Sequence, residues 1–413
     1  MSDLQLRYSK VDGDNFAEVI LPASKSISNR VLIINALAFS STEVHNLAKC
    51  DDTDAMVAAL SSGERDLNIG HAGTAMRFLT AYLAQLNGEW RIGGSERMEQ
   101  RPIGVLVSAL RELGARVEYL KNEGFPPLKI YGGELHGGEI EVSASVSSQY
   151  ISALMMIAPN MKRGLKLRLQ GHIASKPYID MTASIMRTFG AQVEWISENV
   201  ISISPKGYVP VSYSVESDWS AASYIFQMVS LIPGSKVVVP YLYRESLQGD
   251  SKQVELWQKL GVKCEYKGTG IELMSEGLCS VPVDKILDYD FTLMPDLVQT
   301  FVVTCCLKGI PFSFTGVETL RIKETDRITA LINELHKLGY VVKCDGDSRI
   351  YWNGERCDTA ESVVIETYKD HRMAMAFAPV AIVREGIVIA DSQVVTKSFP
   401  EYWREVDKLG ISN

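Results

Sequence analysis

The feature that most constrains this chain of 413 residues is an internal repeat. A helix-like segment ending in Leu-Gly or Phe-Gly, followed by a β-like segment, recurs along it. The copies are LVSALRELGARVEYL (106–120), TASIMRTFGAQVEWI (182–196), VELWQKLGVKCEYK (254–267) and LINELHKLGYVVKC (331–344). REVDKLG ends the series at Gly410, and a damaged copy, AMVAALSSG, begins it at Gly63. Glycine is the residue that enters the left-handed region just past a helix end without a Cβ penalty. From Gly63 through Gly114, Gly190, Gly261 and Gly339 to Gly410 the intervals are 51, 76, 71, 78 and 71 residues. Six repeats therefore fill the chain, and the first interval is short by about 20 residues.

Each repeat also holds a second, more apolar helix candidate. These are SNRVLIINALAF (28–39), TAMRFLTAYLAQL (74–86), SQYISALMMIA (148–158), SAASYIFQMVSLI (220–232), PDLVQTFVVTCCL (295–307) and HRMAMAFAPVAIV (371–383). A helix that is apolar on nearly all sides belongs inside a core, and the more amphipathic Leu-Gly helices belong outside it. β-branched runs such as KVVVP (236–240) and GIVIA (386–390) supply strands. The repeat reads as strand, helix, strand, helix, strand, which makes the fold class α/β. Three repeats per domain give two domains.

Composition excludes several functions. Hydrophobic residues are 46% and charged residues 22%, with a net charge of −8. That balance opposes a general nucleic-acid binder and a polybasic membrane-surface protein. One of the longest uncharged stretches, Met373 to Val383, has 11 residues, against roughly 18–20 needed to span a bilayer. The start, MSDLQLRYSK, lacks the apolar core of a signal peptide. The seven cysteines form no C-x-x-C, and Cys305 and Cys306 sit in an apolar stretch. These features describe a reduced, cytoplasmic protein without a zinc site. There is no H-E-x-x-H, no P-loop pattern and no G-x-G-x-x-G opening a βαβ unit. Metal, ATP and nicotinamide chemistry are left without a motif, and no cofactor is expected.

Polar residues gather where the apolar helices begin. The six starts carry Ser24-Lys25-Ser26 with Arg30, Gly73-Thr74 with Arg77, Ser147-Ser148-Gln149, Asp218-Trp219-Ser220, Pro295-Asp296 and Asp370-His371-Arg372. Helix capping accounts for Asp218, Ser220 and Ser28. It does not account for Lys25, Arg30 or Arg372, because cations there oppose the helix dipole. A helix start with exposed N–H groups and a cation suits a phosphate or carboxylate. The densest polar stretch is Arg321-Ile-Lys-Glu-Thr-Asp-Arg327. Its Lys323 and Arg327 are spaced i,i+4, which predicts a shared helical face. Arg101 precedes Pro102, which favours an extended backbone and a cation presented from a loop.

These residues resemble a known family. LPASKSISNR (21–30), GHAGTAMR (70–77), RMEQRPIG (97–104), SSQY (147–150), SKPY (175–178), PDL (295–297), RIKETDR (321–327), DHRMAM (370–375) and TKSFPEY (396–402) occur in the order found in 5-enolpyruvylshikimate-3-phosphate synthases. The resemblance implies two inside-out α/β domains, each of three repeats around buried parallel helices, with the active site in the interdomain cleft. It implies that the chain starts in one domain, crosses to the second and returns, which gives residues 1–22 with 215–413 as one domain and 23–214 as the other, with crossings near 21–23 and 213–217. It implies transfer of the enolpyruvyl group of phosphoenolpyruvate to the 5-hydroxyl of shikimate 3-phosphate. The reaction passes through a tetrahedral intermediate, releases phosphate, and needs no metal or cofactor.

The resemblance places shikimate 3-phosphate at Lys25, Ser26, Arg30, Ser147, Ser148, Gln149, Ser175, Asp296 and Lys323. It places phosphoenolpyruvate at Lys25, Gly73, Arg101, Gln149, Arg327, Arg372 and Lys397. Asp296 is expected to act at the 5-hydroxyl and Glu324 near C3, with Lys25 assisting. The expected partners are these two small molecules, with neither nucleic acid nor membrane, and the chain is expected to act as a monomer. The sister enzyme that uses UDP-N-acetylglucosamine relies on a loop cysteine, whereas Cys50 is the only cysteine between residues 24 and 215. His71, Phe78 and Thr319 depart from the residues common in the family, as does the short first repeat.

Overall fold

The computed structural model describes residues 3–10, 16–39, 42–145, 147–171, 173, 175–277 and 285–413. Cys279 lies outside them. The chain divides into two compact units, Met1–Pro22 with Glu216–Asn413 (the terminal unit) and Ala23–Val215 (the central unit).

In the central unit the helices are α1 (Lys25–Leu37), α2 (Asp51–Ser61), α3 (Gly73–Gln85), α4 (Gly104–Glu112), α5 (Ser148–Ile157) and α6 (Lys176–Thr188). In the terminal unit they are α7 (Trp219–Leu231), α8 (Gln253–Lys259), α9 (Val298–Lys308), α10 (Arg327–Lys337), α11 (His371–Phe377) and α12 (Tyr402–Asp407). The odd-numbered helices are the apolar set. Every residue of α5 except Gln149 is buried, whereas α6 buries one stripe through Ile179, Thr182, Ala183, Ile185 and Met186. Each even-numbered helix is followed by one of the repeat glycines, and all six have φ between 65° and 103°.

Side-chain contacts fix the direction of the inner helices. Near their starts, Gln149 of α5 donates to Thr74 of α3 (3.2 Å), and Arg30 of α1 donates to Ser152 of α5 (3.2 Å). Near their ends, Gln85 of α3 donates to the Ile157 carbonyl (2.7 Å), and Asn160 donates to the Leu37 carbonyl (3.0 Å). Contacts at both ends make α1, α3 and α5 parallel. The same holds for α7 and α9: Ser223 meets Thr300 near the starts, and Lys308 donates to the Ser230 carbonyl near the ends. Arg372 at the start of α11 bonds the Asp296 carbonyl just ahead of α9.

The strands depart from the expected pattern by one. The second helix of a repeat is followed by a hairpin, so the order is strand, helix, strand, helix, strand, strand. In the second repeat Asp66–Asn68 pairs parallel with Gly88–Gly93. That strand pairs antiparallel with Leu128–Gly132, which pairs with Arg116–Tyr119. Five four-stranded sheets of this kind are present among the described residues. The first repeat keeps only the parallel pair Tyr213–Ser214 with Val44–His45. Its missing residues are thus the hairpin. The terminal unit borrows two strands from the chain start: Phe16–Glu18 lies beside Lys236–Pro240, and Leu4–Tyr8 lies between Ile387–Ile389 and Ile411–Ser412.

Helix limits differ from expectation for identifiable reasons. α11 stops at Phe377 and continues as a 3-10 turn, Ala378–Ile382. Pro379 has no N–H to offer the Met375 carbonyl, and the buried Tyr402 hydroxyl donates to that carbonyl instead (2.8 Å). α10 begins only at Arg327, capped by Asp326, which accepts from Thr329 N. Lys323 therefore lies in the preceding loop and shares no helical face with Arg327.

Candidate functional site

Each unit gathers charged side chains where its inner helices begin. In the central unit, α1 and α3 start without a side-chain cap, so their first N–H groups remain available to an anion. Lys25, the first residue of α1, pairs with the buried Asp52 of α2 at 3.1 Å. Arg30 lies one turn further and is buried. Its guanidinium donates to Thr182 Oγ1 (2.7 Å), the Ser26 carbonyl (2.8 Å), Ser152 Oγ and the Tyr178 carbonyl (3.3 Å). Phe78 packs against it with the ring centroid 5.3 Å away. Burial lowers its pKa to about 10, so it stays charged at neutral pH.

The loop carrying Arg101 is fastened from two sides. Arg77 donates to the Pro102 carbonyl (2.8 Å) and to the Gly73 carbonyl (3.1 Å), and Tyr150 also donates to Pro102. Arg101 lies directly over the start of α3: a Cβ at Gly73 would sit 2.8 Å from its Cζ. Only glycine permits that approach. Ser147 caps α5 by accepting from Gln149 N. Ser148 is buried, and Ser175 heads α6 in a left-handed conformation with φ 55°. His71 contacts Ser95 Oγ through Nδ1 at 2.8 Å, which gives this unusual residue a local partner.

The terminal unit holds an unbroken chain of ion pairs. Lys397 bonds Glu324 Oε1 (2.6 Å), and Arg327 bonds the other oxygen of Glu324 (2.9 Å). Arg327 also reaches Asp296 (3.1 Å) and Asp370 (2.7 Å). Asp296 is completed by Arg372 at 3.0 Å and Lys323 at 3.7 Å. Arg327 is 1% exposed. Burial opposes ionisation of Asp296, but Arg372, Lys323 and Arg327 together outweigh it and hold the carboxyl well below its usual range. Burial pulls the Lys323 ammonium down, with Asp296 and Glu324 opposing. Arg327 is held charged, since Asp370, Glu324 and Asp296 outweigh its desolvation.

Of the expected residues, the terminal unit brings Asp296, Lys323, Glu324, Arg327, Arg372 and Lys397 together. The central unit brings Lys25, Ser26 and Arg30 to one helix start, and Gly73, Arg101 and Gln149 to the starts of α3 and α5. Several participants were not anticipated. Asp52 holds Lys25, and Thr182 with Ser152 orients Arg30. Asp370 caps α11 and grips Arg327. His371 is buried against Asp370, 3.5 Å from Oδ1. Ser220, expected as a cap, instead donates to the buried Asp250, while Asp218 caps α7 alone. Asp250 is pushed up to about 7 by burial and by Asp296, against the Ser220 bond. Asp370 and His371 were visible as the polar start of the sixth apolar helix, though not their partners, and Ser152 left a signal as a polar residue one turn after Ser148 in an otherwise apolar helix.

A sequence model of the EPSP synthase (3-phosphoshikimate 1-carboxyvinyltransferase) family matches residues 12–63 and 60–406. The chain belongs to the EPSP synthase family. It is 53% identical to a 3-phosphoshikimate 1-carboxyvinyltransferase of Bacteroides fragilis strain YCH46, over 96% of this chain and 95% of that one. It is 36% identical to the enzyme of that name from Aliivibrio fischeri strain MJ11, over 97% of each. An EPSP synthase structure from Acinetobacter baumannii superposes with a TM-score of 0.75, covering 99% of both chains at 21% identity; at that identity the likeness bears on the fold.

Proposed function

We propose that this protein is a transferase that moves the enolpyruvyl group of phosphoenolpyruvate to the 5-hydroxyl of shikimate 3-phosphate and releases inorganic phosphate. The step belongs to the shikimate pathway of aromatic amino acid biosynthesis. The observation that carries this reading is the filled set of seven cations, Lys25, Arg30, Arg101, Lys323, Arg327, Arg372 and Lys397, in a family member 53% identical to a named transferase. The two substrates bring two phosphates and two carboxylates, and those groups would be met by charges already oriented by buried partners.

In this reading Arg30, Ser26, Ser147, Ser148, Gln149, Ser175 and Lys323 hold shikimate 3-phosphate. Arg101, Gly73, Gln149, Arg327, Arg372 and Lys397 hold phosphoenolpyruvate, and Lys25 serves both. Asp296 is ionised, so it acts as an acceptor. It takes the proton of the 5-hydroxyl as that oxygen attacks C2. Glu324 delivers a proton to C3, and Lys397, 2.6 Å away, restores it. Collapse of the tetrahedral intermediate breaks the C2–O bond to phosphate; the C3 proton returns through Glu324 to Lys397, and the departing phosphate takes the proton held by Asp296. The chain works as a monomer in the cytoplasm. Among the described residues six cysteines are free thiols, and no helix is long and apolar enough to cross a membrane.

The test is phosphate release by the purified protein. Turnover with shikimate 3-phosphate and phosphoenolpyruvate is the expected result. Turnover only when UDP-N-acetylglucosamine replaces shikimate 3-phosphate, or binding without turnover, would overturn the reading.

A further inference from the structure

Outside the ion-pair chain, the buried carboxylates of the terminal unit include Glu334 of α10, which is 0% exposed. Glu334 lies seven residues after Arg327 on the same helix, so both project from one face. Arg327 grips Asp370 from that face. Glu334 grips the segment leading into Asp370. Its Oε1 accepts from the Tyr368 hydroxyl (2.7 Å), and its Oε2 accepts from Glu366 N (3.1 Å) and from Lys337 Nζ (2.6 Å).

The segment so held is under strain. Asp370 N donates to the Thr367 carbonyl (2.8 Å), closing a four-residue turn. Both central residues, Tyr368 and Lys369, have positive φ, 53° and 57°. That is the pattern of a turn which favours Asn and Gly, and neither residue here is either. Such a conformation persists only when its surroundings impose it. Directly after the turn come Asp370, which caps α11, and Arg372, which reaches Asp296.

We propose that Glu334 and Tyr368 are positioning residues for the reaction, bracing the 366–370 turn from the outer helix so that Asp370 and Arg372 stand where phosphoenolpyruvate is received. The inference rests on the proposed function. Neither residue touches the reacting atoms. Each acts through the turn: Glu334 supplies the acceptor, and Tyr368 supplies the bond that keeps its own backbone left-handed. Lys337 balances the buried charge and ties the preceding strand by donating to the Val364 carbonyl (2.9 Å).

The experiment compares the full-length wild type with Tyr368→Phe and Glu334→Gln in the phosphate-release assay, with each substrate varied in turn. A loss of folding alone lowers the active fraction and the apparent kcat while leaving both KM values in place. Misplacing Arg372 raises the KM for phosphoenolpyruvate selectively. The expected result is a rise of about 5–20-fold in that KM for both variants, the scale of one hydrogen bond, with the KM for shikimate 3-phosphate within about twofold. Should Glu334→Gln fail to fold, Tyr368→Phe, which removes a single hydroxyl, decides alone. An active wild type whose variants keep the phosphoenolpyruvate KM within about twofold overturns the brace and leaves the proposed function standing. A wild type that turns over nothing with this substrate pair overturns both.

Discussion

Replacing Arg327 with lysine tests whether the terminal cluster depends on a planar fork or merely on positive charge. Arg327 is 1% exposed and makes four N–H contacts to three carboxylates, at 2.7 and 3.4 Å to Asp370, 3.1 Å to Asp296 and 2.9 Å to Glu324. An ammonium is a point charge on a flexible stem and cannot meet acceptors on three sides at once. The variant should keep one carboxylate contact and lose two. Each lost charge-assisted bond is worth roughly 1.5–3 kcal/mol, and breaking a buried pair costs about 3–5 kcal/mol because it strands the remaining charge. The expected destabilisation of the terminal unit is therefore about 3–5 kcal/mol, or roughly 6–20 °C in the midpoint for a body of this size. Because the guanidinium is held charged, the loss should not vary across neutral pH. Scanning calorimetry reads the midpoint, and phosphate release reads the rate. Without the fork, a shift of about 1 Å in Glu324 or Asp296 would cost about 100-fold in turnover. A midpoint within about 2 °C of wild type, together with unimpaired turnover, would refute the idea that the fork organises this cluster.

Two further outcomes follow from the same geometry. Gly73→Ala places a methyl 2.8 Å from the Arg101 Cζ; the guanidinium must move, and the phosphoenolpyruvate KM should rise by about tenfold or more, whereas an unchanged KM would mean Arg101 does not hold that substrate. Asp250 is raised to about 7, facing Ser220, Asp296, Asp218 and Arg372, so the folded state binds its proton more tightly than the unfolded chain does. That stability is complete below its ordinary pKa and fades as pH rises towards 7. Urea unfolding should find the wild type less stable at about pH 8 than at about pH 5 by roughly 2–3 kcal/mol from this group. Asp250→Asn should remove that difference, and an equal slope in both proteins would exclude Asp250 as its source.

The repeat was legible because each copy solves the same local problem. A helix has to end at a fixed place, and one glycine in the left-handed region does so with little regard for surroundings. The inner helices were legible because uniform apolarity has one physical use in a soluble fold. The hairpin after the second helix of four repeats was not, since its strands are short and a single β-like run marks both. The hidden participants share a different reason. Asp52, Thr182 and Asp370 come from elements remote in sequence from the cations they hold, and nothing in a local run of residues tells a partner from a cap. Lys323 is the reverse case. Its spacing from Arg327 suggested a helical face, but Asp326 caps α10 and leaves Lys323 in the loop, where its ammonium approaches Asp296 by a tertiary path.

The economy of the terminal cluster argues for function over stability. Four cations and three carboxylates lie within it, Lys323, Arg327, Arg372 and Lys397 against Asp296, Glu324 and Asp370. Well-packed apolar residues of similar volume would serve folding as well or better, because desolvating so many charges consumes most of their mutual attraction. What apolar residues could not supply is an excess of positive charge next to an oriented, ionised carboxylate. The cluster itself is short by one negative charge, and that is the deficit an anionic substrate would fill. Burial and Asp296 push the nearby Asp250 carboxyl up to about 7, which disfavours supplying the missing charge from within the protein.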